Sequence, residues 1–181
     1  MASYYYLMAQ LPSIMPHADP PLSYAQFKEL ALRFLTEKDA AVLETLTLVP
    51  PREAVHTASV VVNEWYAFEQ ELRFALEQMR ASKLKREERI TPAETPASAF
   101  DIGAIVRGVS NIDDPLAAER YLLNARLAAA DQLRKLHFYD SEAVFGYGIV
   151  LLLSERASKF KMETGRTEYH SIYTQILGEK I

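Results

Sequence analysis

The chain has no cysteine, which removes disulfides, thiol nucleophiles and cysteine-ligated zinc or iron–sulfur sites from consideration. Glycine is scarce, with 6 in 181 residues, too few for an all-β fold of many tight turns or for a glycine-rich phosphate-binding architecture. Net positive charge is also lacking: the formal charge is −4 and the sequence pI about 5.6, so nothing draws the whole molecule toward nucleic acid or anionic lipid. No apolar run is long enough to cross a bilayer. The longest uncharged one, Ala143 to Leu153, covers 11 residues, against the roughly 20 that a membrane-spanning helix needs. The opening MASYYYLMAQLP has neither a basic leader nor an apolar stretch of signal-peptide length. These absences lead to the expectation of a cytoplasmic protein, peripheral to the membrane only through a partner complex, with no direct membrane insertion.

What is present is the composition of a globular domain, 49% hydrophobic and 24% charged, at a length suited to one domain over residues 1–181. Helical periodicity dominates. Ser23 is placed to cap a helix whose apolar face is Phe27, Leu30, Ala31, Phe34 and Leu35, and Thr36 with Asp39 to start a second over about 39–46. From about 58 to 88 there is neither proline nor glycine, and Val61, Trp65, Phe68, Leu72, Ala75 and Met79 alternate in steps of four and three residues. That seam predicts one long helix packed side by side with others at a shallow angle, and hence an elongated shape. Ile90 to Ala99, with two prolines, reads as a long inter-helix loop. Beyond it come a short helix within 100–109 and a helix opened by the Asp114-Pro115 cap pair and running to about Leu136. The best punctuated segment follows. Asp140 and Ser141 cap it, an inward stripe runs Ala143, Tyr147, Val150, Leu151, Ser154, Ala157 and Phe160, and Gly165 stands where a C-terminal cap is expected. A last helix is expected over about 167–177. The prediction is an all-α, elongated antiparallel bundle of about six to seven helices.

Near the N-terminus two signals conflict. Tyr4, Leu7, Met8 and Leu11 are spaced for a helix, whereas three successive tyrosines favour a strand. Either way, Tyr4, Tyr5 and Tyr6 bring large apolar bodies with polar tips, which suits a core edge or an interface.

Signals for chemistry are thin. Glu53 and His56 have the Glu-x-x-His spacing that puts two metal ligands on one helical face, but a di-iron centre needs that motif twice, and His17, His137 and His170 have no glutamate three residues before them. No Gly-x-Ser-x-Gly elbow occurs. No catalytic residue, cofactor or metal ligand is therefore assigned; a helical metal-dependent enzyme centred on Glu53 and His56 stands as an alternative. Positive charge concentrates only between Arg80 and Arg89, without interleaved aromatics and diluted by Glu87 and Glu88. A solvated helix end is the plainer reading, with a nucleic-acid module or docking onto an acidic protein as the others. Gly146 and Gly148, inside an apolar helix, point to close approach of a neighbouring helix. Glu155 and Arg156 put an acid and a base mid-helix, where Arg156 either faces solvent or makes a specific carboxylate contact.

Two blocks resemble a known family. An apolar helix with tyrosine and leucines, then Glu155-Arg156, then Lys161 to Gly165-Arg166 and an aromatic three residues on, resembles the end of a small family of bacterial proteins encoded beside V-type ATPase subunits. Tyr4-Tyr5-Tyr6-Leu7-Met8-Ala9-Gln10-Leu11-Pro12 resembles that family's opening. The family is distantly similar to the C-type (d-type) central-stalk subunit, an all-helical protein linking stalk to membrane ring. The resemblance implies a non-enzymatic subunit or assembly factor of a rotary ATPase, without a cofactor. Its partners would be stalk or membrane-ring subunits rather than nucleic acid, and Tyr4, Tyr5, Tyr6, Arg156 and Arg166 are the candidates for partner contact.

Overall fold

The computed structural model describes residues 4–15, 18–51, 56–86 and 98–160. Among them are seven α-helices and no strand: α1 (Tyr5–Gln10), α2 (Tyr24–Leu32), α3 (Glu37–Thr45), α4 (Val60–Lys83), α5 (Ile102–Ser110), α6 (Pro115–Arg134) and α7 (Ser141–Ser158). The protein is an all-α helical bundle. The expected helix at 167–177, the cap at Gly165 and most of the expected loop at 90–99 lie outside the described residues.

The starts of the helices follow from short polar side chains. Ser23 and Gln26 form a reciprocal capping box on α2, while Thr36, Ser59, Asp101, Asp114 and Asp140 each accept from the backbone N–H three residues on. The conflict at the N-terminus resolves as a helix, α1, with Leu7 fully buried.

The expected one-sided stripe on α7 is corrected by the structure. Every residue from Ala143 to Leu151 is buried, because α6, α2 and α4 all pack against this helix. A helix apolar all round is what such a central position needs. Its two glycines mark where neighbours press closest. A Cβ on Gly148 would lie 3.1 Å from both Phe27 and Leu46, and one on Gly146 would lie 2.8 Å from the Cβ of Arg134. The ring of Tyr147 packs on Phe27 with centroids 5.2 Å apart. α6 and α7 are antiparallel, as Arg134 meets Gly146 at one end of the pair and Glu119 meets Arg156 at the other.

Two acids of α7 also fix where other helices begin. Glu142 accepts from the Ser59 hydroxyl at 2.5 Å and from the Val60 and Val61 N–H groups at 3.2 and 3.0 Å, so it closes the N-terminus of α4. Glu155 accepts from the Tyr24 N–H at 2.6 Å, at the start of α2. At about 100° per residue their separation in sequence turns them to roughly opposite sides of α7, which is why they serve different neighbours. Each puts a carboxylate where free N–H groups and the helix dipole favour one.

The long helix is shorter than its proline-free sequence predicts, ending at Lys83 rather than 88. Its 24 residues rise about 36 Å. Val61, Trp65, Phe68 and Leu72 are buried as the seam predicts, with Ala75 and Met79 packed against the core. The helix stops in a Schellman motif. The Arg86 N–H bonds the Ala81 carbonyl at 3.0 Å, and the Lys85 N–H bonds the Ser82 carbonyl at 3.1 Å. Lys85 takes the left-handed position, with φ 52°, that glycine occupies in most such motifs, so no glycine announced the end.

α4 and α6 are joined by a buried charge cluster. The Glu69 carboxylate, 1% exposed, accepts from the Arg126 guanidinium and, at 3.0 Å, from Arg73. Removing one partner of a buried pair costs about 3–5 kcal/mol, whereas an apolar replacement of both is often neutral. Arg126→Ala is therefore expected to lower unfolding free energy in urea by about 3 kcal/mol, and the double variant Glu69→Met/Arg126→Leu to recover most of that loss. At the end of α4, Lys85→Gly relieves a left-handed side chain worth about 1 kcal/mol, and calorimetry is expected to show a melting temperature roughly 2–4 °C higher.

Candidate interaction surface

The three tyrosines do not act alike. Tyr4 is buried, and it bolts α1 to the rest: its hydroxyl donates to Asp39 and accepts from the Thr36 N–H at 3.2 Å, and its own N–H bonds the Tyr139 carbonyl at 2.5 Å. Tyr5 and Tyr6, on the following turn, are left 52% and 75% exposed. The Tyr5 ring lies against Tyr139, centroids 5.0 Å apart, and edge-on to Tyr6 at 5.7 Å.

Tyr139 belongs to the connection between α6 and α7, which brings more exposed apolar surface to the same place. Leu136 is 84%, Phe138 66% and Tyr139 50% exposed. The connection is held rather than loose. His137 Nδ1 sits 2.6 Å from the Asp140 carboxylate, Asp140 also caps α7, and the His137 N–H bonds the Arg134 carbonyl at 2.9 Å. Beside it opens a cleft of about 320 Å³ lined by Met8, Asp131, Arg134, Lys135, His137, Phe138 and Ala143. Clustered exposed aromatics on a rigid support, rimmed by polar groups, are the anatomy of a protein-contact face.

Tyr147 holds α1 in place from below. Its hydroxyl donates to the Pro12 carbonyl at 2.8 Å, so the N-terminal block and α7 touch directly. Arg156 lies elsewhere. It is half-buried toward the other end of α7, with Glu119 oxygens at 3.4 Å and the Phe160 ring 5.8 Å from its guanidinium carbon. About 22 Å of helix separates it from the Tyr139 end, so the structure does not bring Arg156 together with the tyrosines. Arg166 lies outside the described residues.

Leu136, Phe138 and Tyr139 were missed in the sequence. Their signal was a run of large apolar residues directly before a helix-capping aspartate, where a connecting segment is ordinarily polar. Of the Glu53 and His56 pair, Glu53 lies outside the described residues and His56 is exposed. Among the described residues no group of three or more histidines and carboxylates gathers to hold a metal, and no helix is long and apolar enough to cross a membrane. No family model matches the chain, and neither does any curated protein or solved structure.

Burial pushes the Tyr147 phenol up to about 12, with Arg134 pulling the other way. Tyr24 is also raised to about 12, by burial first and then by Tyr66 and Glu155. A phenol whose pKa is higher in the folded chain contributes stability that is complete below the ordinary value near 10 and is lost as pH climbs through 12. Stability is expected to fall across that alkaline window, with these two phenols ionising above the ordinary value in a spectrophotometric titration. Tyr147→Phe is expected to make the fall shallower and to lower stability at neutral pH by about 1 kcal/mol, through loss of the bond to Pro12.

Proposed function

We propose that the chain is a helical component of, or accessory to, a V-type ATPase, without catalysis of its own, and that it docks through the face made by Tyr5, Tyr6, Leu136, Phe138 and Tyr139. The observation that carries this reading is that the opening block meets the first part of the second, its apolar helix with tyrosine, both blocks being the ones that resemble the ATPase-associated family. They stand at opposite ends of the chain, yet Tyr147 bonds the Pro12 carbonyl and Tyr4 bonds the residue preceding the cap of α7. What they build together leaves Tyr5 and Tyr6 facing outward. A pattern needed only for the core would bury its aromatics; this one buries Tyr4 and exposes its two neighbours on a held support.

The partner is then a stalk or membrane-ring subunit offering a complementary apolar patch, in a location peripheral to the membrane. Aromatic anchors of this kind carry much of the energy of protein interfaces. Affinity-tagged chain recovered from detergent-solubilised native membranes is expected to bring ATPase subunits with it. The double variant Tyr6→Glu/Phe138→Glu is expected to lose them while keeping its helical circular dichroism. A clean recovery lacking every ATPase subunit rejects the proposal.

A further inference from the structure

The far end of α4 presents a second, different surface. Arg80, Lys83, Lys85 and Arg86 are all exposed. Lys83 donates to the Ser110 carbonyl at 2.8 Å, whereas Arg80, Lys85 and Arg86 enter no ion pair among the described residues. Leu84, 61% exposed, sits among them. Arg80, Lys83 and Leu84 fall on one helical face by their spacing, so the tip combines cations with a single projecting apolar side chain. In sequence, the run from Arg80 to Arg89 carries five cations against two acids, Glu87 and Glu88.

The helix dipole accounts for cations within the last turn, which covers Arg80 and Lys83. It does not account for Lys85. That residue holds a left-handed conformation, which glycine would adopt without strain. A strained position occupied by a long cation points to a use for the cation.

We propose that this tip makes a peripheral contact with an anionic phospholipid surface, with Arg80, Lys85 and Arg86 on the headgroups and Leu84 entering the headgroup layer. Cations around an exposed leucine suit that layer. They do not suit single-stranded nucleic acid, which is gripped by stacking aromatics that the tip lacks. The tip is no part of the cleft beside Phe138, and a flat anionic surface requires no groove. A net charge of −4 on the whole chain means that approach is tip-first. The tip stands a helix length from Ser59, which is bonded to Glu142 beside the aromatic face. A partner on that face therefore leaves it free. This proposal stands on charge and exposure at the tip and is independent of the ATPase reading.

The test is sedimentation of the full chain with phosphatidylcholine vesicles, with and without phosphatidylserine. Binding is expected only with phosphatidylserine, weakening as salt is raised. The variant Arg80→Glu/Lys85→Glu/Arg86→Glu is expected to lose it, and Tyr6→Glu to keep it. Lys85→Gly is expected to bind about fivefold more weakly, the factor for about 1 kcal/mol per basic residue near such a surface. Because that variant is also expected to be the more stable protein, weaker binding cannot come from unfolding. The proposal is overturned by equal sedimentation on both vesicles, by none at low salt, by unchanged binding of the triple variant, or by tighter capture on an oligonucleotide or polyglutamate.

Discussion

A helix enclosed on all sides has to meet two demands at once, and α7 is shaped by both. Its flanks must be apolar and in places small, so that α6 can close over Gly146 and the residues Phe27 and Leu46 over Gly148. Its polar side chains must find partners within the bundle, since burial without a hydrogen bond costs more than the bond is worth in water. Glu142 and Glu155 meet the second demand by reaching the unpaired N–H groups at the starts of α4 and α2. The central helix thereby reinforces the starts of two of its neighbours beside their own caps, Ser23 and Ser59, and a position that would otherwise be destabilising becomes an anchor.

The same arrangement explains why apolar surface is left outside. Tyr4 ties α1 to Asp39, Thr36 and the Tyr139 carbonyl, and Tyr147 ties the end of that block to α7. With the backbone held at these points, Tyr5 and Tyr6 have no route inward. The His137 and Asp140 contact does the same for Phe138 and Tyr139. The exposure is a product of anchoring, not of looseness, and a surface whose shape is set in advance loses little entropy when something binds it.

How much of this was legible in the sequence depends on how local each cause is. Ser23, Thr36, Asp114 and Asp140 act on N–H groups three residues away, and their helices start where the sequence puts them, α3 two residues before the expected 39. The end of α4 was not legible, because Lys85 does without glycine what glycine usually signals. The roles of Glu142 and Glu155 depend on residues more than 80 positions away in the chain, and periodicity within one helix says nothing about such partners. Apolar character likewise tells which residues want burial but not which are refused it. Leu136, Phe138 and Tyr139 therefore escaped notice, while Tyr5 and Tyr6 were singled out only as part of a cluster whose first member proved to be core.

The distance between Glu142 and Glu155 along α7 has one more consequence, for how the chain can change over generations. Adding or deleting one residue between them would advance one carboxylate by about 1.5 Å and swing it by about 100°. It could then no longer reach the helix it closes, and the small residues that admit Arg134 and Phe27 would leave their notches at the same time. Length variation among descendants of this sequence is thus confined to the connections, where a loop absorbs extra residues at small entropic cost. The stretch from Glu142 to Glu155 should keep its residue count even where its side chains drift.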